Sequence, residues 1–249
     1  MNPQPLPCHG SALANCATGP FSIRVNPLSI RENRIYYKIL SMIFKDRAEA
    51  GKRLAEVLIK DKDILKERKN IYVLSLLRGG VIVGCQIAKK LSAPHLPLVV
   101  KKIGAPLNEE LAIGAICNDE CFLEHGLIKR LRLNKNQVNT QIKKAKERQK
   151  EYLKKFINKK KPPSLRSKVI ILVDDGIATG ASIHAALKYL RKQKARKVIL
   201  AVPVAPTDFS SEGFDKTIIL HKDPWLSAVS QFYQEFGQLT DEEAGRIFD

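Results

Sequence analysis

The sequence predicts an α/β fold built on a doubly wound, mostly parallel sheet, and three observations carry that prediction. Val169 to Val173 is an unbroken aliphatic run, the pattern of a strand buried on both faces. Apolar strand-length runs alternate with helical periodicity along most of the chain, as in successive βαβ units. Two short glycine-bearing loops, Arg78-Gly79-Gly80 and Gly176 to Ser182, each follow such a strand. That is the carboxyl end, where open α/β sheets bind ligands. At 249 residues and 44% hydrophobic content, the chain can form one such domain with appendages.

Each element has its own signal. Residues 1–41 hold Pro3, Pro5, Pro7, Gly10, Gly19, Pro20 and Pro27 without sustained periodicity, and are expected to be disordered. Met42 is the only methionine besides Met1, so an over-extended start is the alternative reading of this segment. The domain is expected over residues 42–249. Asp46 and Glu49 are spaced as a capping pair, and Ala50, Leu54, Val57 and Leu58 are expected to line one helix face. Ile71 to Leu76 reads as a strand and Val81 to Leu91 as a helix with Val83, Ile87 and Leu91 inward. Leu98 to Lys101 reads as the next strand. A loop through Gly104, Pro106 and Asn108 leads to Ala112 to Ile116, which pairs or turns back near Cys121 to Leu123, and the stretch from Gly104 to Gly114 is a candidate flexible cover, an ordinary connection being the alternative.

Residues 117–165 read as an inserted hairpin and long basic helix. Val138, Ile142, Ala145, Tyr152 and Phe156 fall at steps of four and three over Asn134 to Ile157, with Gln149 filling a gap, and Pro162-Pro163 stop the helix. This seam is expected to pack on its own domain, a homodimeric coiled coil being the alternative. After the Val169 strand come a helix to about Lys192, strands at Val198 to Val202 and Thr217 to Leu220, and a short terminal helix capped by Thr240 and Glu243. The C-terminal part is expected to form a small hood, with Trp225, Phe232, Tyr233 and Phe236 as either a stacking wall or core.

Composition narrows the function classes. No apolar run approaches a membrane span and no hydrophobic leader is visible, so a cytoplasmic location without membrane contact is expected. Five cysteines without Cys-x-x-Cys spacing encode neither a disulfide framework nor a standard zinc site. Cys117, Cys121 and His125 fit no common ligand pattern, and Cys117 and Cys121 are expected to flank a hairpin turn at Asn118-Asp119-Glu120. The net charge of +18 is concentrated between Lys129 and Lys168, where sixteen Lys or Arg accompany only Glu147 and Glu151. A solvated face is the expected reading, and contact with RNA or DNA the alternative.

The chemistry is carried by the run from Val169 to Ser182. Asp174 and Asp175 can accept hydrogen bonds from two vicinal hydroxyls, as a ribose presents them. Gly176, Ile177, Ala178, Thr179, Gly180, Ala181 and Ser182 follow, mostly small, so backbone N–H groups can converge on a phosphate while Thr179 and Ser182 add hydroxyls. The helix opening near Ser182 adds its positive end. A Walker A loop would need a lysine at the helix entrance, and a dinucleotide fingerprint would place its acid after the glycines. Here the acids come first and no lysine follows.

At these residues the chain resembles the type I phosphoribosyltransferases. The resemblance extends to Leu77-Arg78-Gly79-Gly80, to Lys102-Ile103-Gly104-Ala105-Pro106 and to Glu110-Leu111-Ala112-Ile113-Gly114-Ala115, and covers about Phe44 to the C-terminus. It is similar to a bacterial subgroup whose acceptor is generally unassigned. The resemblance implies transfer of 5-phosphoribosyl from 5-phosphoribosyl 1-diphosphate (PRPP) to a nitrogen acceptor, a nucleobase or related compound, with release of diphosphate. It implies that Asp174 and Asp175 hold the ribose, that residues 176–182 hold the 5'-phosphate, and that Arg78, Gly79, Gly80 and Lys102 hold diphosphate. Mg2+ would arrive with PRPP, without direct protein ligands. Ala178 stands where 6-oxopurine enzymes carry a further acid, which weakens hypoxanthine or guanine as the acceptor. The rival implied by the wider superfamily is a PRPP-sensing regulator that binds nucleic acid through the basic segment.

Overall fold

The computed structural model describes residues 43–156 and 163–248, and the expectation for residues 1–41 lies outside them. Among the described residues a parallel sheet of five strands forms the centre: β1 (Ile71–Leu76), β2 (His95–Leu98), β6 (Val169–Val173), β7 (Lys197–Pro206) and β8 (Lys216–Asp223), in the order β2-β1-β6-β7-β8. A second, antiparallel sheet holds β3 (Val100–Ala105), β4 (Asn108–Cys117) and β5 (Glu120–Leu123). The helices are α1 (Arg47–Leu58), α2 (Lys62–Lys66), α3 (Gly80–Leu91), α4 (His125–Arg130), α5 (Lys135–Phe156), α6 (Ala181–Lys192) and α7 (Asp241–Arg246).

The central strand shows why its sequence is continuously apolar. Val169, Ile171 and Val173 pack with Leu54, Leu58, Val83 and Ile87 of α1 and α3, while Ile170 and Leu172 pack with Ile183, Leu187 and Leu190 of α6. Successive strand residues point to opposite faces, so both parities must be apolar when helices cover both sides. Register aligns Ile71 with Val169 and Ser75 with Val173, so β1 and β6 end level and the loops after them emerge side by side.

Three expectations are corrected. The strand expected at Leu98 to Lys101 is two strands in different sheets, β2 ending at Leu98 and β3 starting at Val100. The second sheet therefore begins earlier than the insertion expected from residue 117. The loop expected over Gly104 to Gly114 is largely an antiparallel ladder, with register shifts between Ile103, Gly104 and Ala105 and a turn at Pro106-Leu107. Backbone groups that a loop would leave to water are paired instead. Val57, expected inside, is 42% exposed, while Ala50, Gly51, Leu54, Ala55 and Leu58 form the buried face of α1.

Other local signals act as expected. Asp46 accepts from Glu49 N at 2.8 Å, and Thr240 and Glu243 form a reciprocal capping box before α7. Cys117 lies in the core, the turn between β4 and β5 is Asn118-Asp119, and Glu120 is already paired with Cys117. Gln149, the odd residue in the α5 seam, is buried and donates to the carbonyls of Val99 and Ile116 at 3.0 and 3.1 Å. The seam packs against Ile103, Ile113 and Ile116, leaving lysines such as Lys143, Lys144 and Lys150 exposed. No helix among the described residues is long and apolar enough to cross a membrane.

Candidate active site

The site forms where β1 and β6 end. Beyond β6, Asp174 accepts from Asp175 N at 2.9 Å through Oδ1. Asp175 Oδ2 accepts from Arg47 Nε at 2.8 Å, and the Asp175 carbonyl accepts from the Tyr233 hydroxyl at 2.6 Å. Burial, and then the neighbouring Asp175 charge, push the Asp174 carboxyl well above the usual range. Burial also raises Asp175, opposed by the Arg47 guanidinium. Both acids are thus shifted upward, Asp175 with the Arg47 cation acting against the shift.

The loop after the acids divides into two parts. Gly176 and Ile177 are buried: Ile177 N donates to the Val204 carbonyl at 2.8 Å, and a Cβ on Gly176 would lie 2.6 Å from Val229. Ala178 and Thr179 are exposed. Gly180 takes φ +81°, the left-handed region, and caps α6 without a side chain, so Ala181 and Ser182 open the helix with no side-chain cap on their N–H groups. The uncapped helix start and exposed loop thus comprise Ala178, Thr179, Gly180, Ala181 and Ser182, while Ile177 has its N–H committed to β7.

The Arg78 loop abuts the acid pair. A Cβ on Gly79 would sit 2.5 Å from Asp175 Cγ, and one on Gly80 would sit 2.6 Å from the Val173 carbonyl. Only glycine permits this approach of the two loops. The Leu77–Arg78 peptide is cis. The Arg78 guanidinium, 43% exposed, lies 3.4 Å from Asp241 at the start of α7, and Asp241 also accepts from the Tyr152 hydroxyl of α5 at 2.6 Å. Lys101, rather than Lys102, approaches this group: its ammonium lies 3.3 Å from the centre of the Tyr152 ring, while Lys102 is exposed on β3.

Beside Ala178 and Thr179 opens a cleft of about 350 Å³. His184 of α6 stacks between Phe122 and Phe209 on its wall, at 4.8 and 5.5 Å between ring centres, and Glu124 and Asp208 complete it. Burial lowers the His184 pKa. Of the C-terminal aromatics read as either a stacking wall or core, three are core and none lines this cleft. Tyr233 is buried with Phe44, Phe232 and Phe236 pack on that cluster, and Trp225 is 87% exposed.

Sequence reasoning missed Arg47, Asp241 and the His184 wall. Arg47 and Asp241 lie far along the chain from the loops they touch, and no local pattern marks them. A lone histidine on an amphipathic helix carries no chemical signature either. Among the described residues no group of three or more His, Cys, Asp or Glu is placed to hold a metal ion.

Comparison with known proteins agrees with this architecture. Residues 41–211 match the family model described as phosphoribosyl transferase domain. Proteins named "Putative phosphoribosyl transferase" in two strains of Mycobacterium tuberculosis, CDC 1551 and H37Rv, are each 35% identical over 211 residues, covering 83% of this chain and 46% of theirs. The chain thus spans about half the length of these curated relatives. The crystal structure of TT1426 from Thermus thermophilus superposes with a TM-score of 0.68 at 30% identity, covering 83% of this chain and 98% of that one. The chain belongs to the phosphoribosyl transferase family.

Proposed function

We propose that the protein transfers a 5-phosphoribosyl group from PRPP to a nitrogen acceptor and releases diphosphate. The observation that supports this most is the contact between the two loops. Gly79 lies against Asp175, so a group held by Arg78-Gly79-Gly80 and a ribose held by Asp174 and Asp175 would be joined at one carbon, as diphosphate and C1' are in PRPP. In this reading Asp174 and Asp175 accept the vicinal ribose hydroxyls. The α6 N-terminus with Thr179 receives the 5'-phosphate, its uncapped N–H groups replacing water around the anion. Arg78 and the N–H groups opening α3 neutralise the departing diphosphate, favouring the state in which positive charge develops on the ribose.

Magnesium enters as part of the substrate, chelated by diphosphate and ribose oxygens, which the chemistry of PRPP permits without protein ligands. The cleft beside Ala178 suits a planar nitrogen acceptor: Phe122 and Phe209, with His184 between them, line it with aromatic surface, and Glu124 and Asp208 accept N–H groups. The test is a screen of nucleobases and amines with PRPP and Mg2+, read by diphosphate release and by mass of the product. Acceptor-dependent diphosphate release supports the reading. Failure to bind PRPP under any condition would defeat it.

A further inference from the structure

The arginine that opens α1 has no reason to be there on helical grounds. A cation in the first turn of a helix opposes the dipole, and the residue before it, Asp46, already caps the helix. Only 11% of the Arg47 side chain is nevertheless exposed, and every described contact it makes is away from its own helix. Nε donates to Asp175 Oδ2 at 2.8 Å, Nη1 donates to the Gly237 carbonyl at 2.7 Å, and the guanidinium carbon stacks 3.7 Å from the centre of the Phe236 ring.

We infer that Arg47 is a positioning residue of the ribose site, fixing which carboxylate oxygens face the sugar and fastening the C-terminal segment to them. The inference rests on the phosphoribosyl reading above. Asp174 Oδ1 accepts from Asp175 N and Asp175 Oδ2 from Arg47, while the two carboxyls also hydrogen-bond to each other, so the orientation of both acids is set by the groups around them. Two carboxyls held on adjacent residues match two hydroxyls on adjacent carbons. Without the guanidinium the Asp175 carboxyl could rotate and would take up a proton, because the remaining titratable neighbours are Asp174 on the same loop and the Tyr233 hydroxyl of the C-terminal segment, with Asp46 beyond it. The diphosphate loop presents Gly79 to Asp175 and adds no charge there. Arg47 also bridges three parts of the chain, α1, the loop after β6 and Phe236-Gly237, so the hood and the ribose acids are held by one side chain.

The experiment titrates wild type, Arg47→Met and Arg47→Lys with ribose 5-phosphate and, separately, with inorganic diphosphate, across mildly acidic to mildly alkaline pH. Arg47→Met should bind ribose 5-phosphate at least about tenfold more weakly near neutrality, about 1.4 kcal/mol, and recover part of that affinity as rising pH ionises Asp175. Its diphosphate affinity should match wild type. Arg47→Lys keeps the charge but cannot span Asp175 and Gly237 together, so affinity for ribose 5-phosphate falls while its pH dependence stays that of wild type. Unchanged affinity in Arg47→Met overturns the inference, as does an equal, pH-independent loss of both ligands. If Arg47→Met does not fold, unchanged affinity in Arg47→Lys overturns it. A wild-type protein that binds neither ligand removes the phosphoribosyl reading itself, and the inference with it.

Discussion

Replacing Gly79 with alanine drives a methyl group into the seam between the two loops. Gly79 has φ −57° and ψ −44°, which any residue adopts, so the substitution carries no backbone strain of its own. Its whole effect is steric. The added carbon would lie 2.5 Å from Asp175 Cγ and 2.7 Å from Oδ1, well inside contact distance. Asp175 cannot swing away freely, because Arg47 holds its carboxylate and the Tyr233 hydroxyl holds its carbonyl. Overpacking of a fixed site costs about 1–3 kcal/mol, and the lower chain entropy of alanine in the unfolded state returns about 0.4–1 kcal/mol. A net loss centred on about 1.3 kcal/mol follows, about 3–5 °C in melting temperature for a chain of this size.

Gly126 in α4 supplies the control, since a Cβ there meets nothing within 4 Å. Gly126→Ala should stabilise by up to about 1 kcal/mol. Both variants are read by thermal and urea denaturation, then titrated with PRPP. Gly79→Ala should lose stability and PRPP affinity together, while Gly126→Ala loses neither. If Gly79→Ala matched the Gly126 control in both measurements, the two loops would not be in contact and the reasoning would be refuted.

Two further outcomes follow from buried polar groups. Asp174 keeps its proton to higher pH in the folded chain than in the unfolded one, so the folded state binds more protons and stability falls as pH rises from the ordinary carboxylate range toward the raised value. Asp174→Asn retains an acceptor for Asp175 N and removes that fall, so it should stabilise by about 0.5–2 kcal/mol at neutral pH while weakening ribose 5-phosphate; identical pH–stability curves for the two proteins would contradict the assignment. Gln149→Leu strands the Val99 and Ile116 carbonyls and should cost about 1–3 kcal/mol in urea denaturation, with PRPP binding intact, and a neutral result would mean that those carbonyls find other partners.

Much of the fold was legible because its signals are local. The aliphatic run of β6, the Asp46 and Thr240 caps and the α5 periodicity each depend on residues a few positions apart. The boundary between the sheets was not legible, since Leu98 and Val100 are both apolar and only tertiary pairing assigns them to different sheets. The Gly104 to Gly114 segment read as a loop because glycine and proline punctuate it, yet cross-strand bonding overrides those preferences. At the candidate site, the sequence marked the acids and the small residues of the two loops. It did not mark Arg47 or Asp241, because a long-range ion pair leaves no spacing to read.

The central claim is that the Arg78 loop and the acid-pair loop hold opposite ends of one substrate, and calorimetric titration of Arg78→Ala with PRPP and with ribose 5-phosphate tests it most directly. Loss of a charged hydrogen bond to diphosphate is worth about 1.5–3 kcal/mol, about tenfold to a hundredfold in affinity. Because Arg78 is paired with Asp241 in the free protein, the lower end of that range is expected. Gly180→Val, which strains a residue at φ +81° and crowds Phe209, should abolish binding of both ligands and serves as the reference for a lost phosphate cradle. The account predicts that Arg78→Ala weakens PRPP while leaving ribose 5-phosphate unchanged. Equal weakening of the two ligands by Arg78→Ala would contradict it.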